Sequence, residues 1–321
     1  MPTLVRVVAR QVSRWAAVAA LATLAATTLS GCTDEPQPSS RPSRAGSPAS
    51  DATPEVAGKG KDRPASGRPG TAKQALAALV TSEQTIADPA TRPRELVRAA
   101  RVQQLAYREL GAHPAWDAKV RTGLPRSLRG VVRDNVASRR EFRAMHRELS
   151  DTLPAWRIVA PAPAEDLLRY YKRGERAYGI GWEYLAAINL VETGMGRIRG
   201  TSVAGAQGPM QFLPSTWAKW GHGDIQDPAD AIMAAARYLA HDGGARGRLA
   251  QALWRYNNSD HYVRGVSLLA KVMQRRPRAF YGYYHWDIYY LTSRGDVRLP
   301  VGYDRDRPVP VARWLATHPQ R

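Results

Sequence analysis

The sequence predicts a mainly α-helical protein: an N-terminal helical extension, a central helical domain and a small C-terminal β-hairpin. Three observations predict it. Apolar residues recur at helical spacing from Thr71 to about Asp151, as in Leu76, Leu79 and Val80, then Leu96, Ala100 and Leu105, then Leu128, Val132 and Val136, the 3.6-residue period of helices with one buried stripe. The same period resumes after Pro161 and Pro163 and runs to about Met273. Near the end it gives way to two β-prone runs, WDIYYLT and VRLPVGY, separated by Ser-Arg-Gly-Asp. These predict a hairpin with Arg294-Gly295-Asp296 as its turn.

Taken in order, residues 1–31 have the layout of a secretory signal. Arg6, Arg10 and Arg14 precede an apolar run from about Trp15 to Leu29 with no acid, shorter than the roughly 20 residues a membrane-spanning helix needs. Residues 32–70 are rich in Pro, Ser, Gly, Arg and Ala with almost no large apolar side chain, so they cannot offset the entropy of ordering and read as a disordered linker. Such a coil spans roughly 35 Å, and roughly 120 Å when stretched in polyproline form. Residues 71–160 should form three or four helices, with Pro93, Gly111, Pro114 and Pro125 at or near their ends. Residues 161–275 form the central domain and residues 276–321 the hairpin and a tail, whose prolines and charges suggest an end that wraps the surface or frays.

The formal net charge of +19 and a pI near 10.5 favour anionic neighbours. Nucleic acid is not expected as a partner, because no nucleic-acid-binding motif appears. Dispersed, solvated arginines that keep the protein soluble are the plainer account of the same charge. Leu29-Ser30-Gly31-Cys32 resembles a bacterial lipobox, and Cys32 is the only cysteine. That resemblance implies cleavage before Cys32, lipidation of its thiol, and an exported protein anchored to the outer face of the cell membrane. With one cysteine, no intramolecular disulfide forms, so the fold must rest on its packed core.

In the central domain, Glu165 and Asp166 fall in a first helical turn and complement the helix dipole. That helix ends near Gly179-Ile180-Gly181. The next, from about Trp182, places Tyr184, Ile188, Val191 and Met195 on one stripe with Glu192 beside it. After Glu192 no acid occurs until Asp224, while Gly194, Gly196, Gly200, Gly205 and Gly208 follow, the mark of a helix giving way to closely approaching backbone. A carboxylate there faces the negative end of the dipole beside apolar neighbours, and both effects favour the protonated form that a general acid uses. Trp217 and Trp220 serve as apolar anchors or sugar-stacking platforms. Asp227-Pro228-Ala229-Asp230 is a helix start, which accounts for two of Asp224, Asp227 and Asp230 without a metal. A further helix carries Leu249, Leu253 and Trp254, and Ser259 or Asp260 caps one with Tyr262, Val266, Leu269 and Met273 inside. His113 and His146 stand alone, and no metal-ligand spacing links them.

Glu192-Thr193, then Ser202 with Gly205-Ala206-Gln207-Gly208, then Met210-Gln211, then Tyr256-Asn257 together resemble the lytic murein transglycosylases of the soluble lytic transglycosylase and goose-type lysozyme-like superfamily. The strings VETGMGR and MQFLPS lean toward the membrane-bound transglycosylase B type. The resemblance covers about residues 180–262. It departs from the pattern at Thr193 for serine, at Pro209, and at Asn258 and Ser259 after Tyr-Asn. It implies a lysozyme-like catalytic domain acting on peptidoglycan glycan strands, with Glu192 as catalytic acid. Ser202 would help position or polarise the substrate N-acetyl group, Met210 and Gln211 would line the sugar groove, and Tyr256 would orient Glu192 or the substrate, supported by Asn257.

Most glycosidases flank the bond with two carboxylates, whereas this motif offers one. One acid suffices when the substrate supplies its own nucleophiles, which predicts cleavage of the β-1,4 bond between N-acetylmuramic acid and N-acetylglucosamine with 1,6-anhydromuramoyl ends, and neither metal nor cofactor. The alternatives are a muramidase that hydrolyses the same bond and a wall-binding lipoprotein without catalysis. Wall-synthesis or division proteins are the candidate protein partners.

Overall fold

Helix punctuation sets the frame of the N-terminal half. Thr71 accepts a hydrogen bond from the Gln74 amide and starts α1 (Ala72–Ala87), a side-chain cap for an otherwise unpaired donor. Pro93 opens α2 (Pro93–Ala112) at its first turn, where a missing N–H costs nothing. α3 (Asp117–Gly123) and α4 (Arg126–Ala144) follow, the latter straight after Pro125. Leu79, Tyr107, Leu110, Leu128 and Val132 fill the core among them. The computed structural model describes residues 67–146, 148–202 and 204–320. The expected signal peptide, Cys32 and nearly all of the expected linker lie outside the described residues.

The central helices are α5 (Ala164–Tyr178), α6 (Trp182–Thr193), α7 (Pro214–Trp220), α8 (Pro228–His241), α9 (Leu249–Tyr256), α10 (Asp260–Arg275) and α11 (Ala279–Tyr284). Asp227 caps α8 through the amides of Ala229 and Asp230, and Ser259 caps α10 through that of Tyr262. α6 packs against α5, α8 and α10, and Leu185, Ala186, Ala187, Ile188 and Asn189 are all buried along it. Its alanines let neighbouring helices approach closely, so a helix with no polar face becomes the centre of the domain. Trp254 does not join this core: it is 44% exposed, one residue and about a 100° turn past buried Leu253.

Three small antiparallel pairs complete the described residues. β4 (Ile288–Thr292) and β5 (Gly295–Leu299) form the hairpin. Its turn is Ser293-Arg294 rather than Arg294-Gly295-Asp296, since Gly295 and Asp296 already pair with Thr292 and Leu291. Asp296 is drawn into the strand by its ion pairs with Arg108 of α2 and Arg139 of α4. The proline-rich stretch before α5 also pairs: β1 (Thr152–Leu153) with β6 (Val309–Pro310), and β2 (Arg157–Ile158) with β3 (Ile198–Arg199). The tail does not fray over its described part, because α12 (Val311–Thr317) buries Val311 and Trp314 against Leu153, Leu299 and Tyr303.

One buried carboxylate ties the N-terminal helices to the segment after α11. Glu83 is 3% exposed. It accepts hydrogen bonds from Tyr107 and from Gln103 Nε2 at 2.8 Å, and Gln103 Oε1 accepts from Trp286 Nε1 at 3.0 Å. Burial raises the Glu83 carboxyl above its ordinary value, against the opposing hydrogen bonds of Tyr107 and Gln103. A carboxyl raised on folding contributes stability that is complete below its unfolded value, 4.5, and is lost as pH rises through the folded value. Glutamine accepts the same hydrogen bonds without a charge. Glu83→Gln is therefore expected to melt higher than the wild type at pH 7.5, with that advantage gone at pH 4; an equal difference at both pH values in thermal melts would contradict it.

Candidate active site

The C-terminal end of α6 is shaped by three successive left-handed residues, Gly194 at φ 59°, Met195 at φ 66° and Gly196 at φ 81°. The Gly194 amide bonds the Leu190 carbonyl and the Met195 amide reaches back to that of Asn189, which closes the helix in a Schellman-type cap. Met195 thus lies past the helix end, not on its apolar stripe. A side chain with positive φ costs about 1 kcal/mol or more, opposed here by complete burial and by the Tyr171 hydroxyl at 3.4 Å from its sulfur.

Two departures from the resembled pattern meet at this cap. The Thr193 hydroxyl donates to the Pro209 carbonyl at 2.6 Å and accepts from the Gly196 amide at 3.0 Å, while Asn189 Nδ2 donates to the same carbonyl at 2.8 Å. Threonine thereby fastens the acid's helix to the loop that carries Met210 and Gln211. Arg197 fastens it from the other side. Its buried guanidinium donates to the Gly194 carbonyl at 2.9 Å and to the Tyr284 carbonyl and lies 5.3 Å from the Tyr284 ring centre, and burial lowers its pKa. A cation is favourable at the negative end of a helix. Composition alone did not single Arg197 out from the other arginines.

Glu192 is 8% exposed, and its Oε1 accepts a hydrogen bond from the Tyr262 hydroxyl at 2.8 Å. Tyr262 is fully buried, and its ring lies nearly parallel to that of Tyr256, with centroids 6.5 Å apart. Tyr256 in turn donates to the Met210 carbonyl at 2.6 Å. The structure therefore adds Tyr262 as a residue that orients Glu192, whereas helical periodicity placed it only among core positions. The signal available was its place in the first turn of α10, which Ser259 caps. Tyr262→Phe removes one hydrogen bond and keeps the ring, so a loss of roughly tenfold in kcat on glycan is expected. A drop confined to KM, with kcat unchanged, would count against an orienting role.

The loop that follows is held largely by its own hydrogen bonds. Ser202 Oγ accepts from the Ala206 amide at 3.0 Å, and the two residues also bond through their backbones; as an acceptor there, the hydroxyl keeps a hydrogen to donate. Gln207 and Phe212 pair across a tight turn in which Gly208 has φ 73° and Gln211 φ 50°. Gln211 folds back, Nε2 to the Gly208 carbonyl at 3.0 Å, and is half-buried. Met210 differs from its expected place: its side chain is fully buried in the core, so it supports the loop from beneath. Asn257 follows Tyr256 and is 2% exposed, and its Oδ1 has no hydrogen-bond partner.

The remaining candidates resolve locally. Asp227 and Asp230 accept backbone amides, the latter that of Asp224, and Asp224 accepts from Gln226. Among the described residues, no group of three or more His, Cys, Asp or Glu is placed to hold a metal ion. Trp217 packs against Phe212, and Trp220 stacks on Tyr238 and lies tilted against His241. His113 stacks on Trp116.

No curated protein and no solved structure matches this chain. Residues 169–271, about a third of the chain, match the family model of the transglycosylase SLT domain. The match spans α6, its glycine-rich loop, Tyr256 and Tyr262. It supports a lytic transglycosylase-type, lysozyme-like helical domain in this part of the protein, with peptidoglycan as its substrate.

Proposed function

We propose that the protein is a peptidoglycan lytic transglycosylase that cleaves the β-1,4 bond between N-acetylmuramic acid and N-acetylglucosamine and leaves 1,6-anhydromuramoyl ends. The observation that carries it is Glu192: a nearly buried carboxylate at a capped helix end, oriented by Tyr262, with that helix end bonded through Thr193 and Asn189 to the loop in which Ser202 and Gln211 stay half-buried. Glu192 acts first as acid, passing its proton to the leaving O4 as the C1–O4 bond breaks. The substrate's N-acetyl carbonyl, polarised by Ser202, supports the positive charge at C1. Glu192, now a carboxylate, takes the proton from the muramoyl 6-hydroxyl as O6 bonds to C1. No water is consumed, and the acid is regenerated for the next turnover.

Gln211 lines the sugar groove, and Tyr256, supported by Asn257, acts on the substrate indirectly by holding the Met210 carbonyl of the same loop. Cys32 carries the lipid that holds the protein at the outer face of the bacterial cell membrane, and residues 32–70 give it reach into the wall. The test is a digest of purified peptidoglycan read by mass spectrometry. Anhydro ends are expected; ends heavier by one water would replace this reaction with hydrolysis, and no cleavage by either wild type or Glu192→Gln, with equal binding, would leave only wall binding.

A further inference from the structure

A cavity of about 250 Å³ lies between the N-terminal helices, α6, α10 and the hairpin. One side is formed by Val191 and Gly194, which flank the Glu192-Thr193 pair, and by Tyr262, which bonds Glu192. The other side presents Arg108, Arg139 and His146. Its volume admits a small acidic group or peptide end rather than a glycan strand, because whole-ligand pockets usually run from about 300 Å³ upward.

The charges around this cavity do not balance. Arg108 and Arg139 share the single carboxylate of Asp296, with Arg139 Nη2 at 3.1 Å. Arg108 is 7% exposed and its guanidinium lies 4.1 Å from the Tyr289 ring centre, yet its Nε has no acceptor. A buried N–H of a cation left without an acceptor is costly, so the Arg108 charge is incompletely compensated by Asp296 alone. The acid among the lining residues, Asp287, is held by Arg298 at 2.9 Å and faces Arg101 at 3.4 Å. Burial and the neighbouring Arg139 charge push Arg108 down to about 9, against the pull of Asp296. His146 is lowered by burial and by Arg143 and Arg139. An anion entering here would meet a local excess of positive charge in a partly dry site, where charge-assisted bonds to guanidinium are strongest.

We propose that this cavity receives a carboxylate carried by the peptide substituents of the glycan, bound by Arg108 and Arg139 beside the helix end that carries Glu192. The inference rests on peptidoglycan as the substrate. The N-acetylated sugars of its glycan carry no net charge once the lactyl group is joined to peptide, so carboxylates on the peptides are the anions such a strand presents. The N-terminal helices then act as a selector for peptide-bearing strands, next to the site of cleavage and outside the segment that matches the transglycosylase domain.

The experiment measures equilibrium binding of fluorescent glycan strands to the full chain carrying Glu192→Gln, so that affinity is read without cleavage. Three probes are compared: strands with peptides intact, strands whose peptide carboxylates are converted to amides, and strands stripped of peptide whose freed lactyl carboxylates are likewise converted to amides. Intact strands are expected to bind about tenfold tighter than either of the others, the worth of one charge-assisted hydrogen bond to a carboxylate, and the gap should close when Arg139→Gln is added. A melting curve establishes that this variant is folded, and Arg139→Lys, which keeps the charge but loses the planar fork, should leave a partial gap. Amidated strands that bind as tightly as intact ones, or a full gap that survives Arg139→Gln, would overturn the proposal. Cleavage is assayed separately with the unsubstituted protein: a persistent gap without cleavage would remove the catalytic function and leave this site standing.

Discussion

Glu192→Gln is expected to lower the rate of glycan cleavage by about 10³-fold, the middle of the range for loss of a general acid–base group, and to leave the fold intact. Glutamine keeps an oxygen that can accept the Tyr262 hydroxyl, now 2.8 Å from Glu192 Oε1, so the substitution removes the transferable proton and little else. Turnover on purified peptidoglycan and a thermal melt of the same sample check both halves. A variant that keeps more than about a tenth of wild-type turnover would remove Glu192 from its role, since a side chain that cannot exchange a proton cannot serve as acid and then base.

Gly208→Ala produces the largest loss of stability expected from a single methyl group in the loop. Gly208 has φ 73°, and a Cβ built there would lie 1.9 Å from the Ile225 carbonyl oxygen. That oxygen belongs to backbone and cannot swing aside, so the loop must shift. Left-handed strain and overpacking each cost about 1–3 kcal/mol, and a total of about 3 kcal/mol or more is expected in equilibrium unfolding. Cleavage should fall with it, because the turn positions Gln211 and the Met210 carbonyl that Tyr256 holds. Gly205→Ala is the control: φ is 82° but nothing lies within 4 Å of the added carbon, so strain alone, about 1 kcal/mol, is expected. Equal losses at the two positions would show that close approach at Ile225 is not what makes Gly208 necessary.

The helices were legible because their causes are local. The 3.6-residue period, Pro93 and Pro228 in first turns, and Asp227 and Ser259 as caps act within a few residues of where they stand. The end of α6 was legible only in part. Gly194 marks the stop, but nothing local forces Met195 to adopt a positive φ; its burial against Tyr171 does. The pairing of Arg157-Ile158 with Ile198-Arg199 was hidden because strands of two residues leave no alternation to read. Asp296 looked like a turn residue because its partners, Arg108 and Arg139, stand far earlier in the chain.

By itself the sequence determined a mainly helical protein, the position of one acid at the close of a helix, and the glycine-rich loop that follows it. These depend on period, capping and backbone freedom, which neighbouring residues settle among themselves. Only the tertiary structure decided that Tyr262 holds Glu192, that Met210 supports the loop from the core, and that arginines of α2 and α4 gather beside the same helix end. The Tyr262–Glu192 contact joins residues 70 positions apart, and such partners are chosen by how helices pack, since a buried hydroxyl or guanidinium must find its acceptor wherever the packing places one.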